Sequence, residues 1–159
     1  MKKLKLYLET SVWNFLFADD APEKMHKTQE LFSSLKQELF EIYISDIVIA
    51  ELSDTPDINK RGLLLSSVKE YNPIELIRDE EVDALVKKYM EERIFPERFI
   101  DDARHIAVAV VNNIDIVVSW NQDHMVKVQT RFGVNGVNRL EGYKDIDIAT
   151  PEEILKHDE

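Results

Sequence analysis

The chain has 159 residues, 44% of them hydrophobic, which suits one compact domain over residues 1–159. It contains no cysteine, so disulfides and thiolate metal sites are excluded. The net charge of -11 argues against broad, nonspecific polyanion binding and fits either an acidic surface or carboxylates that converge on a divalent cation. No apolar stretch is long enough to span a bilayer, and Glu9 interrupts the N-terminal segment too early for a signal peptide. We therefore expect a cytoplasmic protein with no membrane partner.

In the first part of the chain, short apolar runs alternate with segments of helical periodicity. Leu4–Leu8 predicts a strand, and a helix is predicted to begin at Asp20–Glu23, with apolar residues at helical spacing as far as Leu39. Glu41–Ser45 predicts a second, buried strand, and Asp46 can cap the helix that follows it.

The middle of the chain continues this alternation. Ser53–Gly62 contains a proline and a glycine and predicts a loop, followed by a helix that runs towards Tyr71. Ile74–Ile77 predicts a strand or an extended connection, and Asp79–Arg93 predicts an amphipathic helix. Another helix is predicted after Pro96.

The last part of the chain contains the most convincing core strand, Ile114–Ser119, which is short, continuous and β-branched. A helix is predicted over Asp123–Arg131, and three later glycines are expected to break up the tail. Asp145–Ala149 predicts an edge strand, and Pro151 predicts the start of a final helical turn. Strands that alternate with helices indicate βαβ units, so we expect a three-layer α/β/α fold with a mostly parallel central sheet.

Polar residues follow the predicted strands at the sheet's carboxyl end, where α/β folds bind ligands. They are Glu9, Glu51, the neighbouring pair Asp101 and Asp102, and the segment Ser119–Asp123, which includes Asn121. Oxygen ligands alone suit Mg²⁺ or Mn²⁺. Such a site fits phosphodiester cleavage, in which the metal activates a water and stabilises charge on the phosphoryl oxygens.

Each of these residues also has an interpretation without function. Glu9 can simply begin a loop, Glu51 can lie on a solvated helix face, and an aspartate at a helix N-terminus is favoured electrostatically. Asp101 and Asp102 point about 100° apart on a helix, so only one faces the cleft, and helical phase does not decide which. His105 and His124 are expected to be packing or hydrogen-bonding residues rather than ligands, and Trp13 and Trp120 are expected to be core or rim residues rather than platforms for base stacking.

Four segments resemble the PIN (PilT N-terminus) domain, the fold of many metal-dependent ribonucleases and of the VapC toxins of VapBC toxin–antitoxin pairs. They are "LYLETSVWNFL", "ISDIVIAEL", "DDARHIAVAVVNNIDIVVSWNQDH" and "GYKDIDIATPEEI", and they extend over almost the whole chain. The resemblance implies Glu9, Glu51 and Asp102 as catalytic metal ligands and so favours Asp102 over Asp101. It places Ser119-Trp120-Asn121 where the family often has a Thr-x-Asp motif.

Two departures from the family pattern bear on activity. Glu9 stands where the family usually has Asp and is one methylene longer, although Mg²⁺ demands near-ideal geometry. Asn121 keeps an oxygen ligand but removes a negative charge, so a weaker second metal site is expected. Asp123 either compensates for that charge or caps the next helix.

Two functions follow from this interpretation. The first is a Mg²⁺- or Mn²⁺-dependent endoribonuclease, in which Thr10 or Ser119 orients water or a ligand. Three basic residues are candidate phosphate contacts: Arg104, Lys127 and Arg131. The resemblance allows a toxin role with an antitoxin partner, and a homodimer. The second function is a PIN-like module with little or no catalysis that binds RNA or protein partners. An aspartyl-phosphate phosphohydrolase ranks below both, because Glu9 occupies the place of the nucleophilic aspartate.

Overall fold

A five-stranded sheet lies at the centre of the computed structural model, which describes residues 2–35 and 39–157. The strands are β1 (Leu4–Leu8), β2 (Phe40–Ser45), β3 (Ile74–Leu76), β4 (Ile116–Val118) and β5 (Asp147–Ala149). Their order is β3-β2-β1-β4-β5, and every neighbouring pair is parallel. The predicted α/β fold with a mostly parallel sheet is therefore confirmed, and the sheet is entirely parallel.

Two groups of helices pack around this sheet. The helices are α1 (Thr10–Phe15), α2 (Pro22–Leu35), α3 (Asp46–Ser53), α4 (Ile58–Tyr71), α5 (Glu80–Glu91), α6 (Ile100–Val111), α7 (Val128–Leu140) and α8 (Pro151–His157). Helices α1 to α4 pack with one another and α2 packs with α8, whereas α5 packs with α6 and α7. Right-handed crossovers explain this division, because the chain moves outward from β1 to β3 and then returns past β1 to β4 and β5. Within the described residues, no helix is long and apolar enough to cross a membrane.

The central strand β1 has neighbours on both sides and helices on both faces. Leu6, Tyr7 and Leu8 are fully buried, as expected for a strand in the middle of a parallel sheet. Tyr7 is the polar exception in this run, and its hydroxyl needs partners in the interior. Those partners lead directly to the candidate site.

Helix α4 begins earlier than predicted. The segment Ser53–Gly62 was expected to be a loop, but residues from Ile58 onward are helical. Asp57 caps this helix, since its Oδ1 accepts hydrogen bonds from the backbone N–H groups of Asn59 and Lys60 at 2.9 and 3.1 Å. The loop therefore ends at Asp57, directly after the proline, and Gly62 lies inside the helix.

Helix α7 also differs from the prediction of a helix over Asp123–Arg131. It begins at Val128 and continues through Gly133 and Gly136, which were expected to break the tail. A Cβ at Gly133 would lie 3.1 Å from Cγ1 of Ile94, so this glycine allows a close approach of neighbouring segments.

Smaller corrections concern element ends. Ser45, not Asp46, caps α3: its hydroxyl accepts a hydrogen bond from the N–H of Ile47 at 3.2 Å. Strand β4 is shorter than the predicted Ile114–Ser119. The helix predicted from Asp20 begins at Pro22 and ends at Leu35, and residues 36–38 of its predicted extension lie outside the described residues.

Candidate functional site

The sheet brings Glu9 and Ser119 together at the carboxyl ends of β1 and β4. Leu8 pairs with Val118 in register, and the N–H of Glu9 donates to the carbonyl of Val118 at 3.1 Å. The chain leaves β1 towards β2 on one side and later returns to β4 on the other. This is the topological switch point, where open α/β sheets bind their ligands.

Two serines hold the Glu9 carboxylate. Its Oε1 accepts the hydroxyls of Ser11 at 2.6 Å and Ser119 at 2.7 Å, and its Oε2 accepts the N–H of Ser11 at 3.2 Å. Both hydroxyls also accept backbone N–H groups, from Trp120 and Asn121 respectively, each at 2.9 Å. Glu9 is 7% exposed. The predicted ligand thus points into a polar, largely enclosed pocket between β1 and β4.

Glu51 on α3 is fixed from two other elements. Its Oε1 accepts the hydroxyl of Thr10 at 2.8 Å and contacts Nε2 of His105 at 2.5 Å. Burial tends to raise the pKa of Glu51, but the hydrogen bond and charge of His105 outweigh burial, so the pKa is lowered. Glu51 therefore stays ionised near neutral pH.

A buried polar chain lies behind Glu51. The hydroxyl of Tyr7 is 2.7 Å from Nδ1 of His105 and 2.7 Å from the hydroxyl of Ser45. Burial lowers the pKa of His105, but Glu51 and the negative charges of Glu9 and Asp102 more than offset this, and the pKa is raised. His105 is thus a hydrogen-bonding residue, as the sequence indicated. Tyr7 was missed, and its only sequence signal is a polar atom between two leucines of the central strand.

The two neighbouring aspartates of α6 point in different directions. Asp101 is exposed and pairs with Arg104 at 2.7 Å. Asp102 is half-buried, and its Oδ2 accepts the side-chain amide of Asn121 at 3.2 Å. Burial, followed by the negative charge of Glu9, raises the pKa of Asp102 to about 6. The structure therefore brings Asp102 to Asn121 and Glu9, and turns Asp101 away.

The donor chemistry of these residues suits a hard cation. Within residues 2–35 and 39–157, no group of three or more His, Asp or Glu side chains is arranged to bind one ion together. No hydrogen bond among the described residues uses Oε2 of Glu51 or Oδ1 of Asp102. Mg²⁺ usually keeps several waters and takes one or two carboxylates from the protein. Glu51 and Asp102 are therefore the candidate ligands of a hydrated Mg²⁺ or Mn²⁺, with Glu9 and Asn121 as candidates for direct or water-mediated contacts.

The remaining predicted residues lie at the edge of this site or outside it. Asp123 is on an exposed turn and does not cap α7, whose first flanking residue is Lys127. Lys127 is exposed, and Arg131 pairs with Asp147 at 3.7 Å. His124 stacks on Phe99, with ring centroids 3.7 Å apart.

Both tryptophans are buried structural residues, as expected. The indole N–H of Trp13 donates to the carbonyl of Leu8 at 3.2 Å, and that of Trp120 donates to the hydroxyl of Thr28 at 2.9 Å. Neither ring is available for stacking on a base.

Solved structures of VapC toxins share this architecture. VapBC2 from Rickettsia felis, solved with a DNA fragment from its promoter, has 13% sequence identity and a TM-score of 0.58 over 92% of this chain and 98% of the other. Mycobacterium tuberculosis VapC20, described as a toxin that cleaves the sarcin–ricin loop, has 16% identity and a TM-score of 0.60 over 75% and 92% of the two chains. The chain has a PIN-domain fold.

This finding confirms the resemblance predicted from the sequence at the level of the fold. Neither a protein-family model nor a curated protein matches the sequence. At these identities the PIN likeness concerns architecture. The chemistry of the site must therefore be argued from Glu9, Glu51, Asp102 and Asn121 themselves.

Proposed function

We propose that the chain is a Mg²⁺- or Mn²⁺-dependent endoribonuclease that cleaves RNA phosphodiester bonds through Glu9, Glu51 and Asp102, assisted by Asn121. The observation that carries the proposal is the crowding of carboxylates at the switch point. The negative charges of Glu9 and Glu51 both raise the pKa of Asp102, beyond the effect of burial. Like charges in a half-buried site cost free energy, so their accumulation at one place points to a functional site. A divalent cation would relieve this repulsion.

The side chains have separate tasks in this proposal. Glu51 and Asp102 would hold the ion with the oxygens that the protein's hydrogen bonds leave unused. When bound, the ion would lower the pKa of a water and neutralise charge on the phosphoryl oxygens. Ser119 fixes Glu9, and Thr10 fixes Glu51, so both acids keep their orientation as substrate enters.

A groove beside Glu51 can receive the RNA chain. It has a volume of about 500 Å³, and its lining contains one lysine and three acids: Lys60, Asp20, Glu51 and Asp54. Lys60 is the positive charge offered to a backbone phosphate, and a bound divalent cation would offset the acids. Among the basic residues named from the sequence, Arg104 and Arg131 already pair with aspartates. We therefore assign Lys60 as a phosphate contact together with Lys127, the remaining basic residue named from the sequence, which is exposed.

Cleavage assays with paired variants test the proposal. Single-stranded and structured RNAs are incubated with Mg²⁺ or Mn²⁺ and with wild-type, Asp102→Asn or Asp101→Asn protein prepared identically. We expect Asp102→Asn to lose at least about tenfold in rate, since ligand-shell changes commonly cost that much. Asp101→Asn should retain activity, because Asp101 faces Arg104 and solvent. Equal activity of wild type and Asp102→Asn would refute the assignment.

One observation favours a second function, a PIN-fold module that binds RNA or protein without cleaving it. Both oxygens of Glu9 accept hydrogen bonds, and the side chain is 7% exposed. A carboxylate so occupied can act as a structural cap of α1 alone. Calorimetric titration with Mn²⁺ separates the two functions: saturable binding supports the nuclease, and its absence supports the module.

We further propose that the chain is a cytoplasmic toxin with an antitoxin partner, and that it forms a homodimer. The support is the fold shared with the Rickettsia felis VapBC2 and M. tuberculosis VapC20 structures. Co-expression with a small neighbouring reading frame tests the pairing. Growth arrest by the chain alone, relieved by the neighbour and absent for Asp102→Asn, is the expected result.

A further inference from the structure

We propose that Tyr7 and His105 are positioning residues that aim the Glu51 carboxylate at the ion, an inference that rests on the proposed nuclease function. The two side chains are almost completely buried, at 0% and 1% exposure, and neither can touch substrate. They nevertheless form a continuous line of contacts that runs from Tyr7 in the core through His105 to the carboxylate of Glu51.

At the outer end of this line, between His105 and Glu51, only one assignment of donor and acceptor is possible. Glu51 is an acceptor, so Nε2 of His105 must carry a proton and donate it to Oε1. At the inner end the Tyr7 hydroxyl meets Nδ1 of His105 and the Ser45 hydroxyl, each at 2.7 Å. When His105 is neutral, Nδ1 accepts from the Tyr7 hydroxyl; when His105 is protonated, Nδ1–H donates to Tyr7, which then donates to Ser45. The Nε2–H to Glu51 bond is the same in both states. The ring orientation is thereby set by two contacts at opposite nitrogens.

Tyr7 and Glu51 lie on different elements, so the line of contacts can fix Glu51 relative to the central strand. Tyr7 belongs to the rigid central strand β1, His105 to α6 beside Asp102, and Glu51 to α3. Glu51 has a side chain that is 37% exposed and three rotatable bonds. Without a fixed partner, its carboxylate would sample several rotamers at the mouth of the groove. Engaging Oε1 with Thr10 and His105 leaves Oε2 as the oxygen presented to the cation.

A purely structural explanation is a buried histidine that has satisfied its hydrogen bonds. That explanation accounts for both contacts of His105, because a buried imidazole needs a partner at each nitrogen. The two explanations differ in what deletion of the Tyr7 hydroxyl does to metal binding. A structural role changes stability alone, whereas a positioning role also weakens the ion's hold on Glu51.

Two tyrosine deletions make a matched test. Tyr7→Phe removes a buried hydroxyl from the line, and Tyr89→Phe removes one that donates to Asn138 at 2.5 Å, between α5 and α7. Both variants should lower the melting temperature. Only Tyr7→Phe should weaken Mn²⁺ binding, by about tenfold in calorimetry. Equal Mn²⁺ affinity for wild type and Tyr7→Phe overturns the inference.

A double-mutant cycle shows whether Tyr7 acts through Glu51. In a Glu51→Gln background, Tyr7→Phe should leave the residual Mn²⁺ affinity within about twofold, because the residue it orients has been replaced. An undiminished effect in that background overturns the inference. His105→Gln, which keeps an N–H donor, should retain more affinity than His105→Leu, and equal losses would count against it. If wild-type protein binds no Mn²⁺, the proposed function fails first, and this inference fails with it. If wild type binds and Tyr7→Phe binds equally, only the inference fails.

Discussion

The side-chain amide of Asn121 donates a hydrogen bond to the Asp102 carboxylate over 3.2 Å. The resemblance predicted from the sequence places Asn121 where PIN domains often carry a fourth acid. In this chain that position is a donor to a carboxylate rather than a second like charge beside it. The contact stabilises the ionised Asp102, and the amide lacks the negative charge that an acid at this position would add.

Asn121→Asp should lower the stability of the protein and raise its affinity for metal. The variant replaces a hydrogen bond with like-charge repulsion, so we expect the free energy of unfolding in EDTA to fall by about 1–2 kcal/mol at pH 7.5. The added charge should tighten Mn²⁺ binding about tenfold. Urea unfolding and calorimetry measure the two effects. Asn121→Ala is the control, because it loses the hydrogen bond without gaining a charge and should not bind more tightly.

Asp102→Asn should stabilise the ion-free protein in a pH-dependent manner. Burial and the charge of Glu9 raise the pKa of Asp102 to about 6 in the folded state, above the ordinary value of 3.8. The folded protein thus holds this proton more tightly than the unfolded chain, so wild-type stability declines as pH rises between those two values. The gain from Asp102→Asn should be small at pH 4, grow towards pH 6 and level off above it.

Urea unfolding in EDTA at pH 4, 5, 6 and 7.5 tests this profile. Adding Mn²⁺ at pH 7.5 should raise the stability of wild type and leave Asp102→Asn almost unchanged, since only wild type keeps the carboxylate. If the gain in stability from Asp102→Asn is independent of pH, then burial and neighbouring charges do not destabilise the Asp102 carboxylate in the folded state.

Glu9→Asp tests why this chain departs from the usual acid. The shorter side chain should withdraw from Ser11 and Ser119, which would leave the half-buried hydroxyl of Ser11 and the buried hydroxyl of Ser119 without this acceptor. We expect a loss of about 1–3 kcal/mol in the free energy of unfolding. In a Ser119→Ala background the loss should be smaller, because the two substitutions share one hydrogen bond. Strictly additive losses would mean that Glu9 is held by other groups.

The sequence predicted where the acids lie but not what holds them. Strand ends at Glu9 and Ser119 could be identified because a parallel sheet places the carboxyl ends of its strands on one edge. The contacts of His105 with Tyr7 and with Glu51 join residues 98 and 54 positions apart, and they depend on how α3 and α6 pack against β1. No local pattern contains that information, since periodicity reports the buried face of an element and not its neighbour.

The same limit explains the errors at helix ends. Asp57 is a good capping residue, but the proline before it and the glycine after it favoured a loop. Asp57→Ala should cost about 1 kcal/mol in the free energy of unfolding, because two N–H groups of α4 lose their acceptor. Mn²⁺ affinity should not change. A loss of stability well below that of other helix caps would mean that α4 does not depend on Asp57.

The two glycines inside α7 should respond differently to alanine. Gly136 is exposed and has no heavy atom within 4 Å of a built Cβ, so Gly136→Ala should raise the free energy of unfolding by about 1 kcal/mol through helix propensity. At Gly133 the new Cβ would lie 3.1 Å from Cγ1 of Ile94, and relief of that contact should cancel part of the gain. Denaturant unfolding of the two single variants measures the difference. If both substitutions stabilise the protein equally, Gly133 is not needed for the close approach of Ile94, and helix propensity alone explains the effect of the substitution.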